Sequence, residues 1–201
     1  MSRNSSTHEL LNFLVVAKDG NVGYLDDFYI DDEYWVIRYI MVESGDWLHR
    51  KDVVIATQMI ERVDLSSRRI FLNTIREQVE SSPHIHRGRV ISREQETEYY
   101  DHFKWNYYWS EQNPISNLHT RKEVIGMGIH TPESTFGRIS DVLFSTIKWT
   151  VEHLILHAHR VLDGKVVLIS TKDVVSVDRI NHRVNVKLLE GQVQEAPEWK
   201  G

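Results

Sequence analysis

The chain has 201 residues, of which 41% are hydrophobic and 26% charged, a balance typical of globular proteins and unlike that of disordered or collagen-like chains. Its length accommodates one large domain or two small ones. The formal net charge of −5 gives no general attraction to phosphate, and the absence of cysteine excludes disulfides, thiolate catalysis, iron–sulfur clusters and sulfur-based zinc sites.

The start of the chain and its hydropathy predict a cytoplasmic protein. The first ten residues, MSRNSSTHEL, are polar and lack the apolar core of a signal peptide. Every later segment falls short of the roughly eighteen consecutive apolar residues that a membrane span requires. A chain without cysteine also suits a reducing compartment. We therefore expect a cytoplasmic location without membrane insertion.

The first 86 residues predict a small all-β domain, because short apolar or alternating runs are separated by turn sequences. The runs LLNFLVVA, VGYLDDFYI and YWVIRYIMVE are divided by the turns KDGN and DDE. Three further strands are predicted in VVIA, IERVD and RRIFLN, before a short polar helix in TIREQVESSP. About six strands are expected, and closing them into a small barrel would remove the exposed edges of the sheet.

Residues 87–119 predict a helical, aromatic-rich linker. The sequence SREQ is a capping box, in which Ser92 and Gln95 satisfy the first free amides of a helix running from about Arg93 to Lys104. Seven aromatic residues lie between positions 99 and 109, too many for a solvated linker. We predict that these rings join two domains and extend into a homodimer interface, with the interface candidates Tyr99, Phe103, Trp105, Tyr108 and Trp109.

Residues 120–201 predict a second copy of the first domain. Comparison of the chain with itself at an offset of 114 positions gives 14 identities in the 76 pairs that begin at residue 10, without a gap. Unrelated sequences of ordinary composition would match at about one position in sixteen. We therefore predict an internal duplication, with superposable domains at 7–86 and 120–201 joined by the linker at 87–119.

The residues that the two copies share have structural interpretations. Gly23 and Gly137 follow predicted turns, where glycine serves a bulge or a close backbone approach. Trp35 and Trp149 begin predicted strands and are expected to cover one end of a small core. An acidic cluster in the first copy lacks the spacing of a calcium loop and is predicted to be a solvated turn; it consists of Asp26, Asp27, Asp31, Asp32 and Glu33.

Several stretches of the first copy occur in a characteristic order: the turn around DGNVG with an aspartate-rich strand after it, then WVIRYIMVESGDWL, KDVVI and REQVESSP. Together they resemble the PRC-barrel family, and the second copy resembles it more weakly. The family is named after the cytoplasmic domain of the photosynthetic reaction-centre H subunit, and a related barrel forms part of a ribosome-maturation factor. The membrane helix of the H subunit is missing here, so a photosynthetic role is not expected.

This resemblance implies a fold class and a kind of function. The fold class is all-β, with two tandem small antiparallel β-barrels joined by the short helical linker. In the family, the barrel is a docking surface and implies no reaction. The chain also carries no glycine-rich phosphate loop, GxSxG elbow or HExxH motif, so we predict that it is not an enzyme and has no catalytic residues.

Three histidines in HLILHAH are the candidates for a metal site. If this run is a strand, His153, His157 and His159 share one face, with the last two roughly 6 to 7 Å apart. The opposite face is apolar, which makes the histidines a solvent-facing row. No carboxylate or fourth ligand accompanies them, so we predict neither a physiological metal site nor a cofactor.

Three functions remain for such a chain. We favour a non-catalytic protein-interaction or scaffold protein, with an unidentified protein partner and a homodimer as its own assembly. The first alternative is a ribosome- or RNA-associated accessory factor, against which residues 1–86 carry 9 basic and 14 acidic side chains and residues 120–201 carry 11 and 10. The aromatic linker is acidic too, so no nucleic acid is expected. The second alternative is a metal- or small-molecule-binding protein.

Overall fold

The computed structural model describes residues 4–44, 52–85, 90–110, 116–157 and 164–201. In these residues the chain is mostly β-structure with few, short helices, and it divides into two compact units. The first unit comprises residues 10–120, and the second comprises residues 4–9 together with 121–201. Within the described ranges, no helix is long and apolar enough to cross a membrane.

The described strands are, in chain order, β1 (Asn4–Ser6), β2 (Leu14–Ala17), β3 (Gly20–Asp31), β4 (Val36–Ser44), β5 (Asp52–Ala56), β6 (Ile60–Asp64), β7 (Arg69–Leu72), β8 (Leu118–Thr120), β9 (Gly128–His130), β10 (Thr135–Ser145), β11 (Val151–His157), β12 (Val166–Ser170), β13 (Val174–Asp178) and β14 (Arg183–Val186). The described helices are α1 (Thr7–Leu10), α2 (Arg76–Glu80), α3 (Arg93–Phe103), α4 (Arg121–Val124) and α5 (Glu190–Gln194). Single 3-10 turns, Thr57–Met59 and Thr171–Asp173, connect β5 to β6 and β12 to β13.

The two units contain sheets with the same strand order. The first sheet runs β5-β4-β3-β2-β7-β6, with β8 paired to β3, and the second runs β12-β11-β10-β9-β14-β13, with β1 paired to β10. The predicted six strands per copy are therefore β2–β7 and β9–β14. Each sheet gains a seventh, three-residue strand that sequence patterns did not indicate.

The predicted fold class, all-β with two tandem barrel-like domains, is confirmed, and the sheets differ from the prediction in two details. Each sheet is mixed, because β2 pairs with β7, and β9 with β14, in parallel. Neither sheet is a closed barrel among the described residues, since closure requires the two end strands to pair with each other. In the second unit, residues 197–199 cover the outer edge of β12. Leu168 N–H donates to the Pro197 carbonyl at 2.8 Å, and Trp199 N–H donates to the Val166 carbonyl at 2.8 Å.

The seventh strand of each sheet is exchanged between the sequence copies. β1 precedes the first copy but pairs in the second unit, with Asn4 opposite Ser145. β8 precedes the second copy but pairs in the first unit, with Leu118 opposite Asp31. The two pairings are equivalent, because 118 − 4 and 145 − 31 both equal the repeat offset of 114. The units thus divide the chain differently from the predicted ranges 7–86, 87–119 and 120–201.

A buried aspartate anchors the exchanged segment in the second unit. Asp141, 8% exposed, accepts hydrogen bonds from the Thr7 hydroxyl and from His8 N–H. Arg121 Nε in turn donates to the Thr7 hydroxyl at 2.8 Å. Asp141 also accepts from Val142 N–H at a register shift of β10, as Asp27 does from Phe28 N–H in β3. The repeated aspartate therefore marks a β-bulge in each sheet.

Gly23 permits a close backbone approach as the sequence predicts, whereas of the two tryptophans only Trp149 is buried as expected. A Cβ on Gly23 would lie 2.0 Å from the Glu43 carbonyl oxygen, so only glycine permits this close approach of β3 and β4. Trp35 and Trp149 occupy the left-handed region, at φ of 52° and 59°, in equivalent turns. The Trp149 ring is buried and stacks on Phe144 with a centroid distance of 5.4 Å.

Candidate protein-interaction site

Helix α3 forms where the capping box predicts it. Ser92 Oγ accepts a hydrogen bond from Gln95 N–H at 3.2 Å, and Gln95 Oε1 accepts one from Ser92 N–H at 3.0 Å. The helix ends one residue before the predicted Lys104, which adopts a left-handed φ of 55°. Trp105 N–H donates to the Tyr100 carbonyl at 2.9 Å. This left-handed cap reverses the chain, so that the rings after the helix return onto it.

The helix packs on a face of the first sheet through a hydrophobic cluster. The cluster contains Tyr29, Tyr39, Met41, Val54, Ala56, Ile85, Ile91, Tyr99, Tyr100 and Leu118. Tyr99 is fully buried, meets the Tyr39 ring edge-on at 5.6 Å, and donates its hydroxyl proton to the Val54 carbonyl at 3.1 Å. Because side chains alternate along a strand, this face of β4 and β5 lies opposite the one that carries Ile40 and Ile55. Both faces of these strands are therefore covered.

The rings that follow the helix are only partly buried. Phe103, Trp105, Tyr108 and Trp109 pack against the cluster, and Phe103 stacks on Trp105 with a centroid distance of 4.6 Å. Trp109 stacks on Tyr107 at 4.7 Å, and Tyr107 is 44% exposed. We call residues 99–109 the aromatic segment.

The structure therefore brings all the predicted interface residues together in the first unit but gives them different environments. Tyr99 belongs to the core of this unit. Sequence analysis missed Tyr100, which is 6% exposed and touches the rings of Trp105, Tyr107, Tyr108 and Trp109.

A buried carboxylate ties the aromatic segment to the sheet. Glu96 is fully buried, and its Oε1 accepts hydrogen bonds from the Tyr108 hydroxyl at 2.5 Å and the Tyr39 hydroxyl at 3.1 Å. Its Oε2 lies 2.7 Å from Arg93 Nη1. Burial raises the pKa of Glu96, although the Tyr108 hydrogen bond and the Arg93 charge act in the opposite direction. Sequence analysis did not single out Glu96, although the spacing of three between Arg93 and Glu96 is a local signal for an ion pair on a helix.

Arginine side chains cover the polar edge of the same cluster. The Arg38 guanidinium lies 3.7 Å from the Tyr108 ring centroid and pairs with Asp31 at 2.8 Å. The Arg93 guanidinium lies 4.4 Å from the Trp109 ring centroid. Cations over aromatic faces hold both rings in fixed orientations.

The acidic cluster of the first copy is only partly the solvated turn that the sequence predicts. Asp27 is 5% exposed and Asp31 is 2% exposed. Burial raises the pKa of Asp31, while Arg38 and the amides of Glu33 and Tyr34 lower it. Asp32 pairs with His119 Nε2 at 2.6 Å. These carboxylates act as backbone and ion-pair acceptors within the unit, because their loop lies against buried strands.

Two of the three candidate metal ligands lie on β11, and the third, His159, falls outside the described residues. His153 and His157 are both half-buried, opposite Ser170 and Val166 of β12. In the part of the chain that the structure describes, no three His, Asp or Glu side chains are grouped to hold a metal ion. His153 instead lines a cavity of about 440 Å³ together with Thr150, Val151, Glu152, Ser170, Thr171 and Lys172.

Comparison with known protein families gives one match, to the first part of the chain. No curated protein matches it. Residues 3–79 match the model of the PRC-barrel domain, an interval that includes β1 to β7. The match therefore begins with the strand that the structure places in the second unit. The match does not extend to residues 121–201, although they form a sheet of the same strand order. Residues 3–79 of this chain are thus similar to the PRC-barrel domain.

Proposed function

We propose that this protein is a non-catalytic interaction or scaffold protein, built by internal duplication of a PRC-barrel-like domain and docking partners through its aromatic segment. The PRC-barrel match supports a binding role more than a reaction. The identical strand orders and the common offset of 114 support the duplication. The first partner that we propose is a second copy of the chain, which would make the protein a homodimer.

One observation carries this proposal: the aromatic segment is packed against the first sheet on one side and is partly exposed to solvent on the other. Tyr99, Tyr100 and Glu96 are buried, whereas Trp105 and Trp109 are only partly buried and Tyr107 is 44% exposed. Binding hot spots are enriched in tryptophan and tyrosine, and rings that are already fixed lose little entropy when a partner orders them. A preorganised aromatic surface therefore suits protein–protein docking.

The ionisable groups of this site favour binding over catalysis. Burial raises the pKa values of Glu96, Asp31 and Tyr39, and perturbed groups of this kind also occur in active sites. Here each of them is engaged in a hydrogen bond or ion pair with its neighbours. A general acid or base must reach a substrate, and these groups are directed at the protein's own side chains.

The test combines alanine at Trp105 and Trp109 with Tyr24→Ala as a control, since Tyr24 is 57% exposed on the same unit but outside the segment. We expect light scattering to report a dimer for the wild type and the control, and a single chain for the double variant. Circular dichroism and thermal melting verify that each variant is folded. A monomeric wild type, or a double variant that remains dimeric, rejects the aromatic segment as a homodimer contact.

A further inference from the structure

A cavity of about 360 Å³ lies in the first unit, lined by the 3-10 turn after β5, the residues after β7, helix α2 and the end of α3. Its apolar lining consists of Met59, Phe103 and Trp105. Its polar lining consists of Gln58, Asn73, Thr74 and Gln78. Small-molecule sites have volumes from about 300 Å³ upward. The cavity is therefore large enough for a compact ligand of one or two rings.

The apolar lining is already arranged to receive a flat ring. Phe103 stacks on Trp105 with a centroid distance of 4.6 Å and an angle of 19° between the ring planes. Both rings are half-buried, and Met59 is 5% exposed. Aromatic rings attract other flat rings through offset stacking and edge contacts, and a thioether adapts to an aromatic neighbour. This part of the cavity thus favours an aromatic ligand.

One of the polar groups is a hydrogen-bond donor held in place by a helix cap. Gln78 Oε1 accepts from the Thr74 hydroxyl and from Ile75 N–H at the start of α2. Because the oxygen is engaged with these donors, the amide nitrogen Nε2 is the free end of the side chain. This nitrogen has no hydrogen-bond partner among the described residues. Gln78 therefore offers a fixed donor at the cavity.

The equivalent place in the second unit is charged, whereas the cavity is not. Asn73 N–H donates to the Met59 carbonyl at 2.9 Å, and at the offset of 114 Lys187 N–H donates to the Asp173 carbonyl at 2.9 Å. Lys187 Nζ also pairs with Asp173 Oδ1 at 3.2 Å. In the first unit, none of the described lining residues carries a charge. The cavity thus lacks the cation that a phosphate or carboxylate would require.

We propose that this cavity binds a neutral nucleobase, free or as its nucleoside. The base stacks against Phe103 and Trp105, and one of its ring nitrogens accepts from Gln78 Nε2. The amides of Gln58 and Asn73 supply further donors and acceptors for the edge of the base. Side-chain amides pair well with neighbouring donors and acceptors on a base, and aromatic side chains stack on any base. The inference goes beyond the proposed docking function, with which it shares only Trp105.

The first test is calorimetric titration of the full-length protein with adenosine, guanosine and uridine. We expect at least one of them to bind with a Kd of about 0.1 mM, as suits a compact neutral ligand. The matching 5′-monophosphate should bind no more tightly than its nucleoside, and ribose alone should give no signal. Failure of all three nucleosides to bind overturns the proposal. Tighter binding of the monophosphate, or equal binding of ribose, overturns it as well.

A matched pair of substitutions then tests the fixed donor. Gln78→Glu keeps an oxygen for the cap of α2 but replaces the Nε2 donor, and at pH 7.5 it should weaken binding about fivefold or more. Gln192→Glu is the control, because Gln192 Oε1 accepts from Leu189 N–H at 2.9 Å in the equivalent cap of α5. This control should bind as the wild type does. Unchanged binding by Gln78→Glu, or equal loss in both variants, contradicts the assignment.

The stacking contact is tested on the aromatic segment. Trp105→Ala should weaken binding about tenfold, whereas Trp109→Ala, outside the cavity lining, should leave it unchanged. Circular dichroism verifies that both variants are folded, and Gln78→Glu at its exposed position tests the site independently of Trp105. Equal binding by Trp105→Ala and the wild type overturns the proposal. Light scattering of Gln78→Glu should give the wild-type mass, so that loss of the nucleoside site is distinguished from loss of the dimer.

Discussion

β5 and β12 occupy the same place in two sheets of the same order, yet one is covered on both faces and the other on one. In the first unit, α3 and the aromatic segment pack on β4 and β5, which covers the second face of β5. The equivalent positions also carry different residues: Tyr39 and Ala56 in the first unit correspond to His153 and Ser170 in the second. Two sheets of the same strand order thus differ in the burial of equivalent strands.

The different burial of β5 and β12 should affect the stability of the two units differently. A face buried by the chain's own helix contributes to folding, because its apolar area is removed from water whenever the unit is folded. A half-buried strand residue contributes less, because part of its apolar area stays in contact with water. Equivalent substitutions in the two units should therefore differ in their effect on stability, and three experiments can sharpen or break the comparison.

The largest difference is expected for aspartate at Val54 and at Leu168. Val54 is 2% exposed under α3, so Val54→Asp buries an unpaired charge and should lower the free energy of unfolding by about 3–5 kcal/mol. Leu168 is half-buried, so Leu168→Asp should cost about 1 kcal/mol. Urea denaturation of both variants measures this difference. Equal losses would show that the two faces are equally covered.

A smaller contrast lies within the aromatic segment itself. Tyr99→Ala removes a fully buried ring and the hydrogen bond to the Val54 carbonyl, and should cost about 3–4 kcal/mol. Tyr107→Ala removes a ring that is 44% exposed and should cost about 0.5–1 kcal/mol. Thermal and urea unfolding of the two variants give the comparison. If Tyr107→Ala were the more harmful change, the segment would be anchored by its outer rings rather than by Tyr99.

The smallest effect concerns pH. Because burial raises the pKa of Glu96 above its ordinary value of 4.5, the folded protein binds this proton more tightly than the unfolded chain does. Its contribution to stability is therefore greatest below about pH 4.5 and falls as the pH rises through the higher folded-state pKa. Glu96→Gln should remove this decline, whereas Glu94→Gln, at an exposed position of the same helix, should retain it. Urea unfolding between pH 4 and pH 7 provides the measurement, and identical slopes for the two variants would contradict the assignment.

Much of the first unit could be predicted because its signals are local. Turn sequences divide β2, β3 and β4, and the capping box at Ser92 and Gln95 starts α3 where it was expected. The density of aromatic residues correctly indicated burial for Tyr99. The prediction that these rings also form a homodimer contact stays a prediction, with Trp105 and Trp109 as its test.

The candidate site was less accessible to sequence analysis because it depends on residues far apart in the chain. Glutamate is usually a surface residue. Glu96 is accommodated in the interior because the hydroxyls of Tyr39, 57 residues before it, and Tyr108, 12 residues after it, donate hydrogen bonds to it. Asp31 is buried for a related reason, since Arg38 pairs with it from the next strand. No local pattern encodes these encounters.

The sequence by itself determined the strands, the helix start and the repeat of 114 residues, because each follows from alternation, turn chemistry and capping among near neighbours. Only the tertiary structure decided the open ends of the sheets, the exchange of β1 and β8, and the choice of which face α3 covers. A polar three-residue strand such as Asn4–Ser6 has no hydrophobic pattern of its own. Its pairing with residues 143–145 is selected by contacts formed only when distant segments meet, as in the hydrogen bonds from Thr7 and His8 to Asp141.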